Sequence, residues 1–285
     1  MAYDFTGKVI LITGAAGGIG AATARELYSL GALLVLTDMQ QEAVDQLAQE
    51  FDAERVLPLA LDVTDAEASK RVVQSAVERF GRLDVAFANA GIAWRSDPKT
   101  LRICPTDEFR RIVEVDLLGV WNTMQAALPE VIRNQGQILV TSSIYAFING
   151  LVNAPYAASK AGVEALARAL LVELGGTGAT VSVVYPGWTE TAIAKIAFGG
   201  NDLATRMNKT VLPNFLRQPI QPQQVAKSIT QGMSSRRPRI VVPGRWTPIA
   251  LLRGLLNPLI DRYLQRHKAL QKLLRELESG SGGGS

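Results

Sequence analysis

Short apolar runs alternate with longer segments of helical periodicity over the first 245 residues. Most of these runs are continuously apolar, as in strands that helices cover on both faces. The alternation predicts an α/β fold, a single Rossmann-type domain with a doubly wound, seven-stranded parallel sheet. The predicted strands span residues 8–13, 33–37, 56–61, 83–88, 137–142, 180–185 and 239–242. The predicted helices span residues 18–30, 41–51, 65–80, 106–133, 155–174 and 222–234.

A proline interrupts the third predicted strand at Pro58. Proline lacks the N–H that a central strand donates to its neighbour, so it is tolerated at a sheet edge. The doubly wound order places the third strand at an edge. We therefore expect Pro58 to lie in the edge strand.

The chain divides into three parts by its pattern. Residues 1–245 form the predicted domain, and the loosely patterned segment 191–221 within it is typical of a lid over a binding site. Residues 246–278 form a predicted helical extension, in which Pro258 is expected to end one helix and start another. Residues 279–285 read SGSGGGS, the composition of a flexible linker or tag remnant.

Composition and charge exclude several classes of protein. The 285 residues carry a net charge of +4, which is too small and dispersed to indicate nucleic-acid binding. One cysteine and one histidine allow neither an internal disulfide nor a Cys-based metal site, so we expect no metal. The amino terminus lacks a secretory pattern and no apolar run is long enough to span a membrane, so the predicted location is cytoplasmic.

A cluster of small residues separates the first predicted strand from the first predicted helix. Gly14, Gly18 and Gly20 let the backbone approach a pyrophosphate, and the helix amino terminus supplies N–H groups and partial positive charge. Neither GxGxxG nor a Gly-Lys-Ser/Thr ending is present, which argues against kinase or ATPase chemistry. The cluster predicts a dinucleotide site.

Asp38 ends the second predicted strand, 18 residues beyond Gly20. A carboxylate at this place accepts hydrogen bonds from a ribose 2′-OH and repels a 2′-phosphate. Ala15 and Ala16 offer no basic side chain to such a phosphate. The sequence therefore favours NAD over NADP, with Met39 as a further cofactor contact; the alternative is that Asp38 only caps the next helix.

Three side chains are expected to converge near this loop. Tyr156 and Lys160 are four residues apart on a predicted helix and project from one face. Ser143 follows the fifth predicted strand, whose carboxyl end borders the ligand crevice of such a sheet. The three groups form a candidate catalytic set.

These motifs together resemble the short-chain dehydrogenase/reductase family over roughly residues 7–245. The matching motifs are TGxxxGxG at residues 13–20, Asp62-Val63, Asn89-Ala90-Gly91, Ser143 with Tyr156-x-x-x-Lys160, and Pro186-Gly187 with Thr191.

The resemblance implies a role for each member of the catalytic set. Tyr156 would exchange a proton with an alcohol or ketone while hydride moves to or from the nicotinamide. Free tyrosine titrates near about pH 10, and the Lys160 ammonium would lower that value. Ser143 would hold the substrate oxygen, and Lys160 would also hold the nicotinamide ribose.

The resemblance also implies the cofactor contacts. Small residues after the fourth strand would let the cofactor ribose pass close to the backbone. The segment after the sixth strand would hold the nicotinamide carboxamide. The expected contacts are Gly14, Gly18, Ile19, Gly20, Asp38, Met39, Asp62, Val63, Asn89, Ala90, Gly91, Tyr156, Lys160, Pro186, Gly187, Thr189 and Thr191.

Asp116 departs from the family, which usually has asparagine there with its backbone carbonyl holding a water near the lysine. A carboxylate facing Lys160 would stabilise the ammonium and weaken its effect on Tyr156. Two arrangements are open: Asp116 turns away to bond local backbone, which we favour, or it shifts the pH optimum.

An apolar pocket is expected on the substrate side, from the loop after the fourth strand, the segment after the fifth strand and the lid. Its predicted lining is Ile92, Ala93, Trp94, Ile144, Phe147, Leu151, Val152, Ile193, Ile196, Phe198, Leu212 and Phe215. Such a pocket suits a hydrophobic secondary alcohol or ketone. The alternatives are an NADPH-dependent carbonyl reductase of the same family, and a dinucleotide-binding sensor or scaffold without catalysis.

The extension after Trp246 is rich in leucine and arginine. It could pack on its own subunit, seal a homodimer or homotetramer, or lie on a membrane surface. We favour protein packing, because Asp261, Glu276 and Glu278 are mixed with the basic residues.

Overall fold

The computed structural model describes residues 3–95, 97–191 and 202–280. Its seven strands form one parallel sheet in the order β3-β2-β1-β4-β5-β6-β7. The strands are β1 (Val9–Thr13), β2 (Leu33–Asp38), β3 (Val56–Ala60), β4 (Val85–Ala88), β5 (Gln137–Thr141), β6 (Thr180–Pro186) and β7 (Arg239–Val242). The predicted doubly wound sheet is confirmed.

Helices cover both faces of this sheet and continue beyond it. The helices before β7 are α1 (Gly18–Ser29), α2 (Gln41–Ala48), α3 (Ala66–Phe80), α4 (Thr106–Val113), α5 (Gly119–Arg133), α6 (Ala154–Glu173), α7 (Asp202–Val211), α8 (Asn214–Arg217) and α9 (Pro222–Ser234). The helices after β7 are α10 (Thr247–Arg266) and α11 (Lys268–Gly280).

The continuously apolar strands fill two separate cores, one on each side of the sheet. Alternate side chains point in opposite directions along a strand, so Leu11 packs with Val72 of α3 while Ile12 packs with Leu27 of α1. Because both faces are buried, the strand ends are the part of the sheet left for a ligand.

Pro58 lies in β3 at the sheet edge, as predicted. It stands opposite Leu36 of β2. An edge strand pairs on one side only, so the missing N–H does not break a ladder between two neighbours.

The long helix predicted over 106–133 is interrupted by one wide turn. A π-helical turn, Glu114–Leu118, separates α4 from α5, and the Gly119 N–H donates to the Glu114 carbonyl five residues earlier. Such turns often occur at functional sites. This one carries Asp116.

The extension folds as two helices, and the predicted break at Pro258 is wrong. Pro258 lies inside α10, and the chain breaks at His267. Both Pro258 and Gly254, whose carbonyl loses its usual donor, are exposed, so solvent can satisfy that carbonyl. Helix α11 continues through Ser279 and Gly280, while residues 281–285 lie outside the described chain.

Candidate active site

A cleft of about 460 Å³ opens at the carboxyl ends of the strands. Its walls come from the loop between β1 and α1 and from the ends of β2, β4, β5 and β6. The chain reverses its winding direction between β1 and β4, where α/β sheets bind ligands. All the sequence-predicted site residues except Gly20 and Asp116 line this cleft.

Two glycines, one before α1 and one in its first turn, lie so close to other backbone atoms that a Cβ atom would not fit. Gly14 has φ +63°, and a Cβ there would lie 2.8 Å from the Ala90 Cα. A Cβ on Gly20 would lie 2.3 Å from the Gly14 carbonyl oxygen. Gly20 therefore shapes the turn rather than the cleft wall.

The first turn of α1 fits a pyrophosphate. Its N-cap, Gly17, provides no side-chain cap, and no acidic residue lies in the first turn. The N–H groups of that turn have no partner within the helix and carry the positive end of its dipole. A Cβ on Gly18 would come within 2.9 Å of the Thr191 methyl carbon, so the wall around the turn is tight.

Asp38 is held at the end of β2 by backbone donors. One carboxylate oxygen accepts the Ala16 N–H at 3.1 Å, and the other accepts the Met39 N–H at 2.8 Å. Each carboxylate oxygen has a further lone pair for a ligand hydroxyl. Asp38 can thus hold a ribose while remaining fixed.

Asn89 braces the cleft floor, a role that the sequence did not indicate. Its side-chain amide donates to the Thr13 and Gly14 carbonyls at 3.2 and 3.3 Å, and its oxygen accepts the Thr141 hydroxyl at 3.0 Å. The Thr13 hydroxyl accepts the N–H groups of Asn89 and Ala90. The strand ends are therefore joined by side chains beyond the sheet ladder.

Ser143, Tyr156 and Lys160 come together in the cleft. The Ser143 hydroxyl hydrogen-bonds the Tyr156 phenol, and the Lys160 ammonium lies 5.3 Å from the centre of the Tyr156 ring. Lys160 also donates to the Thr141 carbonyl at 3.3 Å. One helix turn between Tyr156 and Lys160 places both side chains on the cleft face of α6.

Asp116 does not turn away from Lys160, so the favoured arrangement was wrong in that respect. Its carboxylate accepts the Ile92 N–H at 2.7 Å through one oxygen, while the other lies 3.2 Å from the Lys160 Nζ. Both side chains are buried, at 0% and 2% exposed. The wide π turn and the end of β4 bring the two charges together, which helical periodicity cannot indicate.

This ion pair changes the electrostatics of the catalytic set. Burial raises the pKa of the Tyr156 phenol; Lys160 lowers it, Asp116 raises it, and the Ser143 hydrogen bond lowers it, with a net rise. Burial lowers the pKa of Lys160, but Asp116 and Tyr156 outweigh it and raise the pKa overall. Burial also raises the pKa of the Asp116 carboxyl. Asp116 thus opposes the effect of Lys160 on Tyr156.

The predicted substrate lining is correct in part. Ile92, Ala93 and Ile144 line the cleft, while Leu151, Val152 and Leu212 line a second cavity beside it.

Three of the predicted lining residues point elsewhere. Trp94 and Phe147 are each 2% exposed, because Trp94 donates to Asn153 at 3.0 Å and Phe147 packs against Tyr185. Phe215 is 58% exposed and lines neither cavity. Ile193, Ile196 and Phe198 lie outside the described residues.

Several lining residues were not predicted as site residues. Tyr145, Asn153 and Trp188 line the cleft, although no motif marks them. Tyr145 lies in the short helical turn that Ser143 caps, and Trp188 follows the Pro186-Gly187 pair, so proximity to known motifs was the available signal.

Neither a metal site nor a membrane-spanning helix is found within residues 3–95, 97–191 and 202–280. No group of three or more His, Cys, Asp or Glu residues there could hold a metal ion. No helix in these ranges is both long and apolar enough to cross a bilayer.

Comparison with known proteins agrees with this geometry. The family described as short chain dehydrogenase matches residues 8–199. The trans-4-hydroxycyclohexanecarboxylate dehydrogenase of Sinomonas cyclohexanicum is 37% identical over 214 residues, covering 70% of this chain and 82% of that protein.

Two solved structures share the fold. A short chain dehydrogenase/reductase from Burkholderia phymatum in complex with NAD gives a TM-score of 0.76 at 25% identity, over 93% of this chain and 97% of that chain. An alcohol dehydrogenase from the archaeon Thermococcus sibiricus, complexed with 5-hydroxy-NADP, gives a TM-score of 0.70 at 28% identity, over 82% of this chain and 95% of that chain. The chain therefore belongs to the short chain dehydrogenase family and is an NAD(P)-dependent oxidoreductase.

Proposed function

We propose that this protein interconverts a hydrophobic secondary alcohol and its ketone with NAD(H), using Tyr156 as the general acid and base. The observation that carries the proposal is the Tyr156 phenol, hydrogen-bonded to Ser143 and next to Lys160, in the same cleft as the glycine turn. A cofactor bound at the glycine turn and a substrate bound at Tyr156 can therefore meet in one cleft.

The reaction divides among the residues of the cleft. The bound nicotinamide supplies or accepts the hydride at its C4. Ser143 donates a hydrogen bond to the substrate oxygen, and Tyr156 takes the hydroxyl proton in oxidation or returns it in reduction. Lys160 stabilises the phenolate form electrostatically, and its contact with the Thr141 carbonyl fixes its position.

Asp38 supports NAD rather than NADP. Its carboxylate lines the cleft at the end of β2 and carries a negative charge toward the place of an adenosine ribose. That charge would repel a 2′-phosphate, and neither Ala15 nor Ala16 offers a basic side chain to neutralise the phosphate.

Tyr156→Phe tests the acid–base role, with Tyr145→Phe as the matched control. Rates are followed at 340 nm with NAD and with NADP on apolar secondary alcohols and ketones. We expect Tyr156→Phe to lower kcat by at least about a hundredfold. NADH binding should stay unchanged, because the substitution leaves the glycine turn and Asp38 intact. Tyr145→Phe should keep most of the activity.

A Tyr156→Phe variant with near-parental turnover would refute the assignment. NADH binding without turnover on the whole panel would instead favour a sensor or scaffold. A cytoplasmic location and a homo-oligomeric state stay predictions.

A further inference from the structure

A second cavity of about 350 Å³ adjoins the catalytic cleft. Tyr145 and Asn153 line both spaces, so these two side chains form the partition between them. The Tyr145 ring stands edge-on to Tyr156, with 5.8 Å between ring centres. The second cavity, here called the distal chamber, therefore begins one side chain away from the reacting hydroxyl.

The carboxyl-terminal extension builds much of the distal chamber. Met207 and Val211 of α7 form one wall, and Leu256, Ile260 and Leu264 of α10 form another. None of the described lining residues carries a charge. The described lining thus offers mainly apolar contact to a ligand and no opposite charge to an ionised group.

Ionic and polar contacts fix this wall against the catalytic domain. Arg253 of α10 forms a bidentate pair with the buried Glu164 of α6, at 2.6 and 2.5 Å. Asn149 donates to Asp261 of α10 at 2.9 Å. Helix α6 also carries Tyr156 and Lys160, so α10 is fastened to the catalytic helix itself.

A third contact holds the second helix of the extension. Arg102, in the segment between β4 and α4, makes a bidentate pair with Glu278 of α11, at 2.9 and 2.5 Å. Leu270, Leu273 and Leu277 of α11 form a small buried cluster with Met207. Both helices of the extension are therefore held in place around the chamber.

We infer that the distal chamber binds the apolar body of the substrate, a neutral hydrocarbon substituent on the carbon that carries the reacting oxygen. This inference rests on the proposed alcohol and ketone chemistry. At about 30 Å³ for a water-sized group, the volume corresponds to on the order of ten non-hydrogen atoms. The extension thereby belongs to the substrate site.

The absence of charge in the described lining makes the inference specific. A substituent ending in a methyl group loses water and gains apolar contact in the chamber. One of equal length ending in a carboxylate would bury an unpaired charge. Chain length should therefore increase kcat/KM only for neutral substrates.

The first test is a homologous series of 2-alkanones from 2-butanone to 2-dodecanone, assayed with NADH. We expect kcat/KM to rise about fourfold for each added methylene until the chamber is filled. At equal length, 11-oxododecanoate should be at least about a hundredfold poorer than 2-dodecanone. A flat series, or equal rates for these two ketones, would overturn the inference.

A matched pair of variants on α10 tests the wall. Leu256→Trp places a larger ring in the chamber, while Leu255→Trp makes the same change on the exposed side of the helix. We expect Leu256→Trp to lower the ratio of kcat/KM for 2-dodecanone over 2-pentanone at least tenfold. The ratio for Leu255→Trp should match the parent. Equal ratios in both variants would refute the claim that Leu256 lines the space in which the long ketone binds.

Binding separates the two proposals if turnover is lacking. Titration calorimetry of NAD-loaded protein with 2-dodecanone measures chamber occupancy without chemistry, because the oxidised cofactor has no hydride to give to a ketone. Binding that weakens in Leu256→Trp and not in Leu255→Trp would support the chamber even if the catalytic proposal failed. Turnover of short ketones with no 2-dodecanone binding would keep the catalytic proposal and refute the chamber.

Discussion

At the scale of single residues, the buried contact between Asp116 and Lys160 distinguishes this site. A carboxylate 3.2 Å from the ammonium stabilises the charged lysine while opposing formation of the Tyr156 phenolate. Lys160 keeps its charge and its position, but part of its electrostatic effect on Tyr156 is cancelled. The base strength of Tyr156 is thus set by its burial together with Lys160, Asp116 and Ser143.

Asp116→Asn should shift the pH dependence of alcohol oxidation toward acid. In the proposed reaction, oxidation requires the Tyr156 phenolate, so its rate should rise as pH increases through the pKa of Tyr156. Asp116 raises that pKa, and removing its charge lowers it. We therefore expect the acidic limb of the kcat/KM profile to move to lower pH.

Asn is close in shape to Asp and can still accept the Ile92 N–H, so it isolates the effect of charge. Asp116→Leu removes both the charge and that hydrogen bond and serves as the comparison. A superimposable profile for Asp116→Asn and the parent would contradict the electrostatic role.

Asp38→Ser should weaken the choice between NAD and NADP. The serine removes the charge that repels a 2′-phosphate and the acceptor of the 2′-OH. We expect the ratio of kcat/KM for NAD over NADP to fall by about tenfold to a hundredfold. Asp62→Asn, on another part of the cleft, should affect both cofactors alike. An unchanged ratio in Asp38→Ser would remove the basis of the NAD assignment.

At the scale of secondary-structure elements, α6 connects catalysis with the extension. Tyr156 and Lys160 occupy its first turns, and Glu164 follows one turn later to meet Arg253 of α10. Glu164 is 5% exposed at its side chain, whereas Arg253 is 27% exposed. The pair therefore joins a buried carboxylate to a partly exposed guanidinium group.

Arg253→Met should destabilise the protein because it leaves the Glu164 carboxylate buried without a cation. We expect the free energy of unfolding to fall by about 2 kcal/mol, reduced from the value for a fully buried pair by the exposure of Arg253. Urea unfolding measures the change.

Two further variants test the cause of that loss. Combining Arg253→Met with Glu164→Gln removes the unpaired charge and should restore at least half of the lost stability. Arg262→Met, at an exposed position of the same helix, should change stability by less than about 0.5 kcal/mol. Equal stability of the single and double variants would show that the unpaired Glu164 charge is not the cause of the loss.

At the scale of the whole molecule, the extension has two different faces. Leu256, Ile260 and Leu264 of α10 line the distal chamber, whereas Leu251 and Leu255 are more than 60% exposed. Packing on its own subunit, one of the expected roles, accounts for the first face. The second face is exposed apolar surface of a kind typical of interfaces, and the expected homodimer or homotetramer stays a prediction.

The sequence by itself determined the layered fold and which residues line the cleft. Continuous apolar strands can be buried only between helices, and the glycine turn, Asp38, Ser143, Tyr156 and Lys160 lie at strand ends or one helix turn apart. These relations are local, or they follow from the winding of a parallel sheet. Spacing along the chain was therefore sufficient to predict them.

Only the tertiary structure decided what depends on contacts between distant segments. Asp116 meets Lys160 because a π turn and the end of β4 pack together, and α10 walls the distal chamber because Arg253 reaches Glu164, 89 residues earlier. Periodicity records which face of an element is apolar, and it carries no information on which element will cover that face. For the same reason Trp94 and Phe147 were expected in the pocket and instead pack away from it.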